Sequence, residues 1–333
     1  SAAGTPDKHF DTLLYMGNRP SPNDVRGLAF QPDLVWIKPR DIVDNHIWCD
    51  SLRGELVSLY GGTSLAEQNN GVLSFNPDGF TVGDWNNTND TGDDFVAWCW
   101  KAGNGTVVDD SGKINVTRST NTDAGFTIGT YTGSEVSDDT IAHGLGKTPE
   151  MIIFKNRDGT DNWTTYHKDL TAGHNLILDD TNTSGASGAL QSPYVDSSFI
   201  YLGGTGDSPG DYVSTNTSGE RFVFYAWTGI EGYSKFGSYE GNANADGPFI
   251  YLGFKPAWIM IKNIDSTTYW TIFDNKRSPI NVCQNTLSAE DARVETTNGS
   301  NGTIDMLANG FKCRDTDNGT NGSYTYIYMA FAE

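Results

Sequence analysis

Leu34-Val35-Trp36-Ile37-Lys38 follows Pro32 in this chain, Met151-Ile152-Ile153-Phe154-Lys155 follows Pro149, and Trp258-Ile259-Met260-Ile261-Lys262 follows Pro256, with each lysine six residues past its proline. A strand-like run ending in glycine lies 15 or 16 residues upstream of each proline: Leu14-Tyr15-Met16-Gly17, Gly129-Thr130-Tyr131-Thr132-Gly133 and Gly237-Ser238-Tyr239-Glu240-Gly241. Eight residues past each lysine stands a ring, His46, Trp163 or Trp270, and four further on a polar group, Asp50, His167 or Asp274. These offsets hold without a gap, so the chain reads as one unit written three times. Each unit closes on an aromatic run: Phe95-Val96-Ala97-Trp98-Cys99-Trp100, Phe222-Val223-Phe224-Tyr225-Ala226-Trp227 and Tyr326-Ile327-Tyr328-Met329-Ala330-Phe331. The expected divisions are 1–103, 104–231 with a linker opening at Gly103-Asn104-Gly105-Thr106, and 232–333.

Short runs of Val, Ile, Thr, Tyr and Trp alternate with turn clusters such as Asn86-Asn87-Thr88-Asn89-Asp90-Thr91-Gly92 and Thr205-Gly206-Asp207-Ser208-Pro209-Gly210. That is strand-and-turn grammar, and no window carries a sustained helical stripe. The expected fold is all-β: three tandem β-sandwich units of roughly 100 residues, of jelly-roll or lectin-like type. The runs after Pro32, Pro149 and Pro256 do not alternate apolar with polar, which marks strands covered on both faces. A lone two-layer sandwich wets one of those faces, so a neighbouring unit, a long loop or another subunit should cover it. Tight packing of the units or a homo-oligomer would serve.

The 333 residues carry 22 Lys+Arg against 42 Asp+Glu, a net charge of −20, with 12% aromatics and 38 glycines. Such a chain folds rather than staying disordered. Its acidity and lack of any basic run argue against a nucleic-acid partner. No apolar stretch approaches the roughly 20 residues of a membrane-spanning helix, so no membrane insertion is expected. Ser1-Ala2-Ala3-Gly4-Thr5-Pro6 reads as a processed or trimmed start and the run ending at Glu333 as a genuine end. Cys49, Cys99, Cys283 and Cys313 lie in apolar strand-like settings. Bridges Cys49–Cys99 and Cys283–Cys313 are conceivable, with free core thiols the favoured reading.

No nucleophile elbow, phosphate loop, dinucleotide fingerprint or metal-protease motif is present, and no enzymatic activity is expected. Asp50 with Arg53, and Asp274 with Arg277, read as local pairs bracing a turn, while Leu170 replaces the arginine where His167 replaces the aspartate. The recurring Asp50, His167 and Asp274 are therefore assigned a structural role, with a sugar-hydroxyl contact as the alternative. Lys38, Lys155 and Lys262 read as strand-end charges. Tyr60, Trp85, Tyr194, Tyr212 and Tyr269 fall in or beside polar loops and are the candidate ligand-stacking rings, since rings pack on sugar faces while Asn, Asp and Thr supply hydroxyl contacts. No cofactor is required by the sequence. Asp315-Thr316-Asp317-Asn318-Gly319 and Asn156-Arg157-Asp158-Gly159-Thr160-Asp161 make calcium the ion to consider, although neither completes an EF-hand loop.

Phe30-Gln31-Pro32-Asp33-Leu34-Val35-Trp36-Ile37-Lys38, Asn76-Pro77-Asp78-Gly79-Phe80-Thr81-Val82-Gly83 and Phe95-Val96-Ala97-Trp98-Cys99-Trp100-Lys101-Ala102-Gly103 resemble a repeat domain of bacteriophage virion proteins, frequent in marine phages. His143-Gly144-Leu145-Gly146-Lys147-Thr148-Pro149, Glu231-Gly232-Tyr233-Ser234-Lys235-Phe236-Gly237-Ser238-Tyr239 and Tyr328-Met329-Ala330-Phe331-Ala332-Glu333 are similar to its second and third copies. The resemblance implies a place on a virion, not a mechanism, and it carries no site residues; other virion proteins and a host-surface glycan are the expected partners. The expectation is a non-enzymatic appendage protein of a fibre, tail or capsid, attaching to host carbohydrate. A purely structural capsid or tail decoration protein and a polysaccharide depolymerase are the alternatives.

Overall fold

The computed structural model describes residues 2–207 and 210–333; Ser1, and Ser208 and Pro209 of the turn cluster at 205–210, lie outside the described residues. The chain is 42% strand and 4% helix, in several separate sheets. Three of these are large and share one strand order. In the first, Phe10–Met16 pairs with Asp94–Trp100, which pairs with Leu34–Pro39, then His46–Asp50, then Leu59–Gly61. The middle sheet repeats this with Phe126–Thr132, Arg221–Trp227, Met151–Asn156, Thr164–His167 and His174–Ile177. The last repeats it with Ser234–Glu240, Thr325–Ala332, Pro256–Asn263, Trp270–Asp274 and Leu287–Ser288. A three-stranded sheet accompanies each large one, for example Asn23–Arg26, Gly79–Val82 and Ser74–Asn76 in the first section.

Side chains alternate across a strand, and here both faces find an apolar partner. Val35, Ile37, Phe95, Ala97 and Cys99 point towards the first section's own small sheet and pack with Val25, Phe80 and Val82. Leu34, Trp36, Val96, Trp98 and Trp100 point the other way, into a cluster shared by all three sections. There Trp98 and Trp36 each stand 6.3 Å from Trp258, Trp100 lies 6.2 Å from Trp227, and Trp48 lies 5.3 Å from Tyr225. Met151, Ile153 and Met260 join the same cluster, while Ile152, Phe154, Ile259 and Ile261 fill the cores of their own sections. The covering that uninterrupted apolar runs demand thus comes from neighbouring sections of one chain.

The recurring glycine-ended strands have a local explanation. Tyr15, Tyr131 and Tyr239 each donate the phenolic hydrogen to a threonine carbonyl, at Thr88, Thr215 and Thr320, over 2.8, 2.6 and 2.6 Å. The next residue after each threonine is a buried asparagine whose Oδ1 accepts a backbone N–H just past the strand: Asn18 to Asn89 at 3.0 Å, Ser134 to Asn216 at 2.8 Å, Asn242 to Asn321 at 2.9 Å. The Thr-Asn turn presses so closely on the strand end that a Cβ on Gly17, Gly133 or Gly241 would meet a carbonyl oxygen at 1.9, 2.2 or 2.0 Å. Only glycine fits such an approach.

The joins are ordered as well. Asp33 accepts the N–H groups of Ala102 at 2.7 Å and Asn104 at 3.2 Å where the first section ends, and Glu150 accepts Gly229 at 3.0 Å where the middle one ends. Beyond the expected linker, Val107–Asp109 forms an edge strand on Val116–Asn121. At the second join Ile230 and Tyr233 are buried in the shared cluster. The four cysteines are free and buried. Cys49 and Cys99 flank Val35, and Cys283 and Cys313 flank Ile304, so a strand stands inside each pair. Two inter-strand steps of about 4.8 Å exceed the reach of a disulfide. Among the described residues no helix is long and apolar enough to cross a membrane.

Because one apolar cluster serves all three large sheets, heat should unfold the chain in a single calorimetric transition, and residues 1–103 expressed alone should not fold. Trp258→Ala should destabilise the whole chain by about 3–5 kcal/mol. Separate transitions, with only the last section affected by that substitution, would contradict the shared core.

Candidate functional site

The recurring polar positions all lie in the seams between sections. Asp50 is fully buried and accepts Arg53 Nε at 2.6 Å and, across the seam, Tyr225 Oη at 2.7 Å. Asp274 is equally buried, paired with Arg277, and accepts Trp98 Nε1 at 3.0 Å. His167 places Nε2 3.2 Å from the Tyr328 carbonyl. First reaches to middle, middle to last, and last to first, so the contacts close a ring. The recurring rings close it in the opposite sense. His46 Nε2 stands 2.8 Å from the Ser288 carbonyl, Trp163 Nε1 donates to Tyr60 and Thr63 at 3.1 Å, and Trp270 Nε1 donates to Ile177 at 2.9 Å.

Two seams extend into charged networks. Arg53 and Arg157 share Glu67 at 3.2 and 2.7 Å, and Arg277 and Arg40 share Glu295 at 3.1 and 2.9 Å. The third seam exchanges the whole set together. Leu170 stands for the first arginine, Ile264 for the second, Ser184 for the glutamate and Met329 for the ring that donates to the aspartate. Leu170 and Ile264 pack on the shared apolar cluster. An aspartate opposite Met329 would be buried with neither a cation nor a ring donor, whereas His167 can donate to a main-chain carbonyl. Lys38, Lys155 and Lys262 each stand one residue before the end of a strand, and all are buried, donating to the carbonyls of Pro39, Asn156 and Asn263 at 2.5, 2.7 and 2.7 Å. Burial pulls each ammonium down to about 8. None of these recurring groups is accessible to a ligand.

The five candidate rings are half-buried and are not gathered into one site. Tyr60 and Trp85 stack on each other at 6.1 Å against the first section's core. Trp85 and Tyr212 occupy equivalent places four residues before the buried asparagines, and Tyr212 donates to Glu135 at 3.1 Å. Tyr269 lies under the Arg293 guanidinium, 3.9 Å from its ring centre. Tyr194 lines a pocket.

That pocket, of about 150 Å³, opens at the outer edge of the middle section. Tyr166 and Tyr194 supply its rings, Leu170 and Leu190 its apolar wall, and Thr164, Lys168, His174, Asn175 and Ser187 its polar groups. Tyr194 is held at a φ of 67°, a backbone region costly for a bulky side chain, in a register break between Leu190 and Val195. Its hydroxyl rests over Gly173, where a Cβ would stand 3.2 Å away. The Nδ1 of His174 is buried without a hydrogen-bond partner. The residues equivalent to Tyr166 are Cys49 and Phe273, both fully buried, so the pocket exists where the middle section departs from its neighbours. Composition had no means of marking Tyr166 or His174, which neither recur nor stand in polar loops.

The calcium candidates are hydrogen-bonded turns. Asp315 accepts the N–H of Asp317 at 2.6 Å and the hydroxyl of Thr320 at 2.9 Å, and the Asn156 side chain accepts the N–H groups of Asp158 and Gly159 at 3.0 Å. Among the described residues no group of three or more His, Cys, Asp or Glu side chains is placed to hold a metal.

The chain belongs to a family described as a domain of unknown function (DUF7483), whose pattern covers residues 5–333 and so takes in all three large sheets as one domain. No curated protein matches the chain.

Arg53→Leu leaves Asp50 without its cation in a buried seam, while Glu67 keeps Arg157 at 2.7 Å, and should cost about 3–5 kcal/mol. Rebuilding the third seam there, with Asp50→His, Arg53→Leu, Glu67→Ser, Arg157→Ile and Tyr225→Met together, should recover most of that loss in urea unfolding. A fivefold variant no more stable than Arg53→Leu would show that the seams are not interchangeable sets. Acid should weaken the fold through the seam imidazoles. Burial, reinforced by Lys38, pushes His46 down to about 3, and burial pushes His167 down to about 4, so both are neutral in the folded chain. The unfolded chain takes up protons at these sites once the pH falls below about 6.5, so their contribution falls from there towards pH 4. Glu290, pushed up to about 7 by burial, works in the opposite sense between about 4.5 and 7. His167→Gln should therefore flatten the fall in unfolding midpoint between pH 6.5 and 4.5, whereas an unchanged slope would remove His167 from the account.

Proposed function

We propose that the chain is a non-enzymatic attachment module of a bacteriophage virion appendage, a fibre of tail or capsid, that holds a host-surface glycan in the pocket of the middle section. One observation carries the glycan reading: Tyr166 and Tyr194 share a small pocket with hydroxyl, amide, amine and imidazole groups, and no carboxylate is among its lining residues. Rings supply faces for a sugar, and the polar groups match its hydroxyls. At about 150 Å³ the space lies below that of pockets which bury drug-sized ligands, and suits one sugar ring. Glycoside hydrolysis uses a pair of carboxyl groups flanking the bond, which this lining lacks. The virion assignment rests on the resemblance of the proline-led and closing strands, and with it goes the description of each two-sheet section as a jelly-roll or lectin-like sandwich. Copies of the chain grouped on one particle, held by other virion proteins or by self-association, would turn a weak site into firm attachment. No cofactor, nucleic acid or membrane insertion enters this reading.

A second reading, a polysaccharide depolymerase, draws on a hollow of about 250 Å³ beside the pocket, lined by both Asp161 and Asp211. Labelled protein applied to intact host cells, with reducing ends assayed in the same tube, separates the readings. Attachment predicts saturable binding without sugar release, weakened about tenfold by Tyr194→Ala. Sugar release that disappears in Asp211→Asn would replace attachment with depolymerisation. Neither binding nor release by folded protein would point to a decoration protein of capsid or tail.

A further inference from the structure

The pocket does not stand alone. Lys168 lines both the pocket and an open groove of about 930 Å³ that crosses the second join, over Gly229–Phe236, towards Tyr251. On its other side the pocket shares Thr164 and Asn175 with the hollow that holds Asp161 and Asp211. Groove, pocket and hollow therefore adjoin, with Lys168 as the sill on one side and Thr164 and Asn175 on the other, and are read as one trough. A terminal sugar needs only the pocket, whereas a trough of this kind accommodates a chain passing through.

The groove differs electrically from the rest of the molecule. Its lining holds three lysines, Lys147, Lys168 and Lys235, against Asp123, Glu150 and Glu231, on a chain of net charge −20. Lys168 is paired with Glu150 at 3.0 Å, but Lys147 and Lys235 have no carboxylate partner among the described residues. Tyr251 is 60% exposed at the groove's far side, and Lys235 Nζ stands 5.4 Å from the Tyr251 ring centre while donating to the Tyr251 carbonyl at 2.7 Å. An exposed ring with an ammonium over one face, held by a carbonyl but by no carboxylate, brings an apolar surface and an anion site together.

From this continuity we infer that the trough binds the interior of an acidic polysaccharide, with one ring in the Tyr166/Tyr194 pocket and a carboxylate- or sulfate-bearing sugar against Lys147, Lys235 and Tyr251. This inference rests on the glycan-binding reading and adds the polymer's length and charge to it. The test applies the full chain to an array of neutral and of uronate- or sulfate-bearing oligosaccharides of one to six rings. Affinity for acidic members should rise with length and fall with added salt. Lys147→Gln with Lys235→Gln should weaken binding of the acidic hexamers about five- to tenfold and leave single rings unaffected. Tyr251→Ala should weaken hexamers of both kinds, and Tyr194→Ala should weaken every member. Binding that is independent of length and of the two lysines would overturn the trough while leaving the pocket reading intact. Absence of binding across the array, by protein shown to be folded, would overturn both.

Discussion

The structure depends on one constraint: three sheets, each apolar on both faces, must bury their second faces against one another. Trp36, Trp98, Trp100, Trp227 and Trp258 are all buried in a cluster that belongs to no single section. Aromatic side chains of this size remove large areas from water, and half of each large sheet's apolar surface would be wet if its neighbours were taken away. The strand order common to the three sheets follows from the repeated sequence. Their mutual arrangement follows from the need to cover the faces that carry Trp36, Ile153 and Met260.

Around that cluster the seams show how polar groups are admitted to a buried joint. Asp50 and Asp274 are tolerated because an arginine and a ring from the next section satisfy them at once. Where Met329 takes the place of the ring, the aspartate, both arginines and the glutamate are absent as well. A buried ion pair is costly when half-built, so its members are kept or replaced together. Such exchange also explains why the sequence pattern is strongest at residues that no ligand can reach.

Much of this was legible beforehand. Uninterrupted apolar runs after Pro32, Pro149 and Pro256 implied covered faces, and the covering is present. The Asp50–Arg53 and Asp274–Arg277 pairs were readable from spacing, since both partners lie within one turn. What they face was not, because Tyr225 and Trp98 stand 175 and 176 residues away. The Thr-Asn pairs at 88–89, 215–216 and 320–321 are hidden in the repeat pattern because the last sits one residue nearer its closing strand than the others. Lys38, Lys155 and Lys262 are strand-end charges, as their spacing implies, but they alternate in step with Leu34, Trp36 and their counterparts and so point inward.

By itself, the sequence determined the all-β class, the threefold recurrence and the two-sided burial of the proline-led strands, because each of these is written in local composition and spacing. Only the tertiary structure decided what covers those strands, that the recurring polar groups are spent in seams, and that Tyr194 joins Tyr166 in a pocket while Tyr60, Trp85, Tyr212 and Tyr269 do not. The physical reason is the same in each case. A local pattern states which face of a strand must leave water, but which distant surface meets it, and where the meeting leaves a hollow, depends on how all three sections pack at once.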